Sequence, residues 1–238
     1  MEEKDVVVEA FTELAPRYES VVNNELNRFW GWSYQGFIQN LIDHIDILDE
    51  ELLLDIATGT GVIPRLILQK NYNCKVVGID ITFAMLQNGK RKLGETIFNN
   101  KAFLTTGDAM YMPFSSASYD QIVCGLATHH MQVKQLISEV FRILKQNGMF
   151  SLADVGGANW WRNPLTNFLI KILAYIYFFF TENKKRAWAE AAAVSNVFTA
   201  EDWHAILSAA GFENIEITKL KSNKFWVPQP LLIQATKL

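Results

Sequence analysis

The 238-residue chain is 50% apolar and 20% charged, a composition that buries a full core and is incompatible with a disordered chain. Its net charge of −3 argues against affinity gained by neutralising many phosphates. Two cysteines, Cys74 and Cys124, are too few for a disulfide framework or a multi-cysteine zinc site, and 13 Gly with 6 Pro exclude collagen-like and low-complexity chains. The unusual component is aromatic: 16 Phe, 7 Trp and 7 Tyr.

The opening MEEKDVVVEAF is acidic and lacks the basic region and apolar run of a secretory signal, so a cytoplasmic protein is expected. Residues 1–50 read as a helical cover. Leu52–Ala57 is a short apolar run closed by Thr58-Gly59-Thr60-Gly61, as suits a central parallel strand. Val62–Lys70 has helical spacing, with Pro64 harmless in the first turn. Lys75–Asp80, Ala102–Thr106, Tyr119–Cys124 and Met149–Asp154 read as further strands. Phe83–Leu93 and Val133–Lys145 read as helices, the second ended by Asn147-Gly148. Strands separated by helices of this length imply right-handed crossovers and a doubly wound, mostly parallel sheet.

Residues 157–198 read as a helical insertion. Within it, Leu165–Phe180 is the most apolar stretch. Thr166, Asn167 and Lys171 interrupt it, and it is shorter than the roughly 20 mostly apolar residues that span a bilayer. A peripheral membrane contact is the use left open to it. Thr199–Ala210 is expected as a helix with Thr199 as N-cap, Asp202 at the third helical position and Gly211 as stop. Glu213–Leu220 and Phe225–Thr236 have no helix between them and should pair as an antiparallel hairpin. The whole, residues 1–238, is expected as one α/β Rossmann-like domain.

In an open α/β sheet the ligand lies beyond the carboxyl ends of the strands, where the strand order reverses. Gly59 and Gly61 let the backbone approach such a ligand, and the following helix offers free N–H groups. A dinucleotide fingerprint wants a third glycine where Pro64 stands, and no P-loop Lys follows the turn. Asp55, at the strand end, would repel a pyrophosphate but attract an ammonium. Asp80 closes the second strand, placed to accept both hydroxyls of a ribose.

DIATGTG, VVGID, TTGDAMYMPF, YDQIVCGLATHH and LKQNGMF resemble, in order and spacing, the motifs of class I S-adenosylmethionine-dependent methyltransferases. FTELAPRYESVVN resembles the opening of the ubiquinone/menaquinone-biosynthesis group within them. The resemblance implies a seven-stranded sheet with a C-terminal antiparallel hairpin. It implies S-adenosylmethionine as methyl donor and S-adenosylhomocysteine as product. Asp55, Ala57, Thr58, Gly59 and Gly61 would surround the methionine portion, with Ala57 where the family frequently has glycine. Asp80 would hold the ribose, with Ile81 and Met85 on the adenine. Asp108 would accept from the adenine amino group, framed by Ala109 and Met110. Gly125 and Leu126 would line the methionine arm, and Tyr18 would close the site.

Methyl transfer is an in-line displacement in which positioning supplies much of the rate, while a phenol or ring carbon benefits from a base. His129 is the candidate base, facing the acceptor, while His130 is expected to pack inward; no metal site is expected. The aromatics of residues 28–38 and 157–198, with Trp161 and Phe179 prominent, are expected to roof a pocket for a lipophilic or aromatic small molecule, residues 157–198 forming a lid. C- or O-methylation is expected over N-methylation. Competing readings are another acceptor class, such as a lipid or natural-product amine, or a membrane-surface protein that keeps the fold. An NAD-type oxidoreductase is opposed by Pro64 and Asp108-Ala109, and a nucleic-acid enzyme by the charge.

Overall fold

A computed structural model describes residues 3–70, 73–97 and 101–238. Helices α1 (Glu3–Leu14), α2 (Tyr18–Trp30) and α3 (Tyr34–Asp43) precede strand β1 (Leu52–Ile56). Then α4 (Val62–Gln69), β2 (Lys75–Asp80), α5 (Phe83–Ile97), β3 (Ala102–Thr106), β4 (Tyr119–Gly125) and α6 (Val133–Ile143) alternate up to β5 (Leu144–Asp154). Helices α7 (Pro164–Thr181), α8 (Lys184–Ala193) and α9 (Ala200–Ala210) follow, and β6 (Glu213–Lys219) and β7 (Leu231–Thr236) end the fold.

The seven strands run in the order β3-β2-β1-β4-β5-β7-β6, parallel except for β7, which is antiparallel to both neighbours. The order reverses between β1 and β4, so the ligand crevice opens beyond their carboxyl ends. The pleat sends alternate side chains to opposite faces. Leu54 and Ile56 join the core under α6 and α9, while Leu53 joins the one under α3 and α4. Asp55 lies between them in the sequence with no exposed surface.

Two boundaries differ from the sequence reading. Helix α6 stops at Ile143, because Leu144 is already extended and pairs with Tyr119. Asn147-Gly148 is therefore not its cap. Asn147, at φ +62°, lies within β5 and donates its N–H to the Lys237 carbonyl, while the Lys237 N–H donates to that of Gly148. The final β segment begins at Leu231, because Pro228 and Pro230 cannot donate to a ladder. Phe225–Pro230 instead forms a loop anchored by Trp30, whose indole donates to the Pro228 carbonyl at 2.8 Å. The N-cap of α9 matches expectation, with Thr199 and Asp202 satisfying each other's backbone N–H groups and Gly211 as the left-handed stop.

Candidate functional site

The glycine loop leaves β1 through a left-handed Ala57 (φ +53°), a backbone conformation costly for a residue with a Cβ. Gly59 and Gly61 are left-handed as well. A Cβ on Gly61 would sit 3.0 Å from Leu93 Cδ1, whereas one on Gly59 would meet nothing closer than 3.8 Å; Gly59 is the open position. The loop is braced from outside by α2: the Thr60 hydroxyl donates to Glu19 at 2.6 Å, and Lys92 pairs with the same carboxylate at 2.8 Å. Tyr18 is half-buried at the start of that helix, and desolvation of its hydroxyl pushes its pKa up.

Asp80 accepts from the Gly59 N–H at 2.8 Å and the Thr82 N–H at 2.7 Å. A carboxylate has about four acceptor sites, so two remain for a pair of hydroxyls. Asp108 accepts from the Met110 N–H at 2.9 Å, and its other oxygen holds Lys4 Nζ from α1 at 2.6 Å. Neither Asp55 carboxylate oxygen has a partner at bonding geometry, and burial pushes its pKa up to about 8, against the nearby Thr58 hydroxyl and with Asp80 adding to the rise. An orphaned buried carboxylate is a site made for a cation.

Gly59, Tyr18, Asp80 and Asp108 border one cavity of about 680 Å³. Of the residues expected to bind the donor, Tyr18, Ala57, Gly59, Asp80, Ile81, Met85, Asp108, Ala109, Met110 and Leu126 line it. Asp55, Thr58, Gly61 and Gly125 do not. Gly61 caps α4, and Gly125 packs so closely under Ile38 and Ile63 that a Cβ would stand 2.8 Å from Ile38 Cδ1.

The histidine pair is turned the other way from the sequence expectation. His130 lines the cavity; His129 lies behind it. The cause is Asp154, at the end of β5. Its carboxylate accepts from the Thr128 N–H at 2.8 Å, from the Thr128 hydroxyl and from the Val155 N–H at 2.7 Å, and it holds His129 Nδ1 at 2.8 Å. With His129 drawn onto Asp154, the next side chain swings to the cavity. There His130 Nε2 meets Glu190 of α8 at 3.3 Å, and Arg186 meets the same carboxylate at 2.9 Å.

Their environments push the two imidazoles apart. Burial opposes the charge on His129, but Asp154 outweighs it and raises its pKa. Burial and the neighbouring His129 lower that of His130. Arg186, buried between the rings of Phe11 and Phe178 at 4.9 and 5.6 Å, holds Glu190 well below the usual carboxylate range despite burial. His129, His130 and Glu190 offer three ligand atoms within 4.8 Å, but the guanidinium already supplies the positive charge. That arrangement favours a charge network over a metal centre.

The aromatic roof is not where the sequence put it. Residues 157–198 do border the cavity, but through Lys171, Ala192, Ser195 and Asn196. Trp161 and Phe179 do not line it, and Phe168, Phe179 and Phe180 point outward from α7. The apolar wall comes from Val7, Val8 and Phe11 of α1. Sequence reasoning gave no site role to Lys4, Phe11 and Glu190, and did not connect Asp154 with His129. Only Asp154, at a strand end beside the switch point, carried a positional signal.

A family profile described as a methyltransferase domain matches residues 54–152, the span from β1 to β5 that carries these groups. This span carries a methyltransferase domain. The chain is 25% identical over 228 residues to a demethylmenaquinone methyltransferase of Lactobacillus johnsonii, covering 92% of this chain and 88% of that one. It is 27% identical over 151 residues to one from Symbiobacterium thermophilum, spanning 63% of this chain and 59% of the relative. Geranyl diphosphate C-methyltransferase of Streptomyces coelicolor superposes with a TM-score of 0.68 at 16% identity, over 93% of this chain and 84% of that one, a likeness of fold.

The residues present fit the donor of this family. Asp80 in the cavity wall has acceptor sites left for a pair of hydroxyls and Gly59 leaves open backbone beside it, while Asp55 lies fully buried under the loop, outside the wall.

Proposed function

We propose that this enzyme methylates a lipophilic, ring-bearing small molecule, at carbon or oxygen, with S-adenosylmethionine as donor. One observation carries the reading. A single cavity joins the carboxylates Asp80 and Asp108 to an apolar end formed by Val7, Val8, Phe11 and Met131, with His130 also in its wall. A pocket of this size and character suits a flat apolar molecule. The names of the two relatives suggest an acceptor of the demethylmenaquinone kind. The buried free thiols Cys74 and Cys124 fit the reducing cytoplasm that the sequence suggests.

S-adenosylmethionine, when bound, supplies an electrophilic methyl group. The chain's part is to orient, dehydrate and manage one proton. Tyr18, Met85 and Leu126 close the site against water, and Lys171 offers a cation to an anionic ring oxygen. With Nε2 turned to Glu190, His130 keeps Nδ1 as its remaining proton acceptor, and its lowered pKa leaves it neutral at physiological pH. His130 is thus the proposed base, with His129 as its fixed, more readily protonated neighbour. Residues 157–198 act as the lid of this single domain.

The test is a product screen by mass spectrometry with S-adenosylmethionine and acceptors ranging from hydroquinones and phenols to small hydrophilic amines and acids. Flat apolar rings should be methylated best. Preference for the hydrophilic compounds would overturn the reading.

A further inference from the structure

Helix α7 is amphipathic in the wrong sense for a helix facing water. Its exposed positions recur at helical spacing from Leu165 through Phe168, Ile172 and Ile176 to Phe180, and all are large and apolar. The more sheltered positions include Thr166, Asn167, Lys171, Tyr175 and Tyr177. Leu173 is 65% exposed and Phe180 80%. The helix is long and apolar enough to cross a membrane, and none of that window is buried. Its polar inner positions, its packing on α8 and the place of Lys171 in the cavity wall make it a surface helix instead. A soluble monomer rarely leaves so continuous an apolar stripe in water.

The surroundings point to what covers it. Arg28 donates to the Tyr177 hydroxyl at 3.1 Å, and Phe29 packs on the Tyr177 ring at 5.5 Å. Lys224 stands over Phe29 and Trp226, beside Phe225, which is 96% exposed. Lys184 follows the end of α7. Among the described residues, none of Arg28, Lys184 and Lys224 is paired with a carboxylate. An apolar stripe flanked by unpaired cations and exposed aromatics complements anionic headgroups over acyl chains. It is a poor complement to a second copy of itself, which would bring the same cations.

We propose that the outer face of α7, with the Phe225-Trp226 loop, docks this enzyme in the plane of an anionic lipid bilayer. The proposal rests on the lipophilic-acceptor reading for its purpose: α7 alone separates the lipid from the cavity wall at Lys171, so an acceptor dissolved in the bilayer is presented beside the site.

The experiment is flotation of the full chain with phosphatidylcholine vesicles, with and without phosphatidylglycerol. Wild type should float, more strongly with phosphatidylglycerol and less so in high salt. The double variant Leu173→Glu, Phe180→Glu should lose binding at least about tenfold. Both side chains are exposed, so the variant should keep its thermal transition and its calorimetric affinity for S-adenosylhomocysteine. Wild type that stays with the vesicle-free fraction, or a double variant that floats equally well, overturns the proposal. So does a wild-type dimer in sedimentation equilibrium that the double variant dissociates, since the face would then join two copies. Failure of the methyltransfer reading has a separate signature: no S-adenosylhomocysteine binding and no turnover with water-soluble phenols.

Discussion

At the scale of single residues, the site is built from carboxylates whose partners differ. Asp80 and Asp154 are each fastened by backbone N–H groups, while Asp55 is left without hydrogen bonds and holds its proton up to about pH 8. A ligand ammonium needs the anionic carboxylate, so binding must expel that proton at neutral pH. Donor affinity should therefore rise with pH and level off above about 8. Calorimetric enthalpies should change with the ionisation enthalpy of the buffer; equal enthalpies in phosphate and Tris would remove Asp55 from this role. The histidines make a second prediction. His130→Ala should lower turnover by about 10²–10⁴-fold with S-adenosylhomocysteine affinity nearly intact. His129→Ala strips a partner from buried Asp154 and should cost about 1–3 kcal/mol of stability, with the smaller effect on turnover per folded enzyme. The reverse ranking would restore His129 as the base. The pH profile should fall only on the acid side of the usual imidazole range, as His130, whose pKa burial and His129 lower, gains its proton.

Among the elements, α9 shows how completely local chemistry can be read. Thr199 and Asp202 form a reciprocal cap, and Arg162 donates to the Thr199 hydroxyl at 3.1 Å. Thr199→Ala should cost about 1 kcal/mol and lower the melting temperature by about 2–4 °C, observable by calorimetry. An unchanged transition would mean that Asp202 caps the helix alone. The strands and the glycine loop were legible for similar reasons, since apolar runs and turn residues act within a few positions. The end of α6 was not, because the strand that claims Leu144 and Asn147 depends on β4 and Lys237, distant in sequence. The direction of α7 was hidden too. Composition announces an apolar helix but does not say which way it faces, and burial is the usual default. The donor end of the site was visible because its groups sit at strand ends. The His130–Glu190–Arg186 network joins β4's exit to a helix of the insertion, and no spacing rule connects them.

For the molecule as a whole, the cavity lies between the parallel sheet and a cover made from both the N-terminal helices and the insertion. Helices α1 and α8 pack on each other, and Lys185 ties them through Glu9 and Glu13 at 3.0 and 2.7 Å. These exposed ion pairs are individually weak.

Lys4 gives that cover a timing role. The oxygen of Asp108 that α1 grips is part of the carboxylate expected to receive the nucleoside, so an incoming adenine competes with the lysine. The same α1 supplies Val7, Val8 and Phe11 to the apolar end. Whatever loosens α1 to admit the donor thus dismantles the acceptor's wall, and the two substrates cannot be taken in either order. An ordered mechanism follows, donor first and demethylated donor last, with S-adenosylhomocysteine competitive only against S-adenosylmethionine. Lys4→Met, by removing the competitor for Asp108, should slow S-adenosylhomocysteine departure in stopped-flow by up to about fivefold, the reach of one exposed ion pair. If departure limits the cycle, the variant should turn over more slowly. An unaltered departure rate would make Lys4 a bystander and leave the order of binding to be set elsewhere.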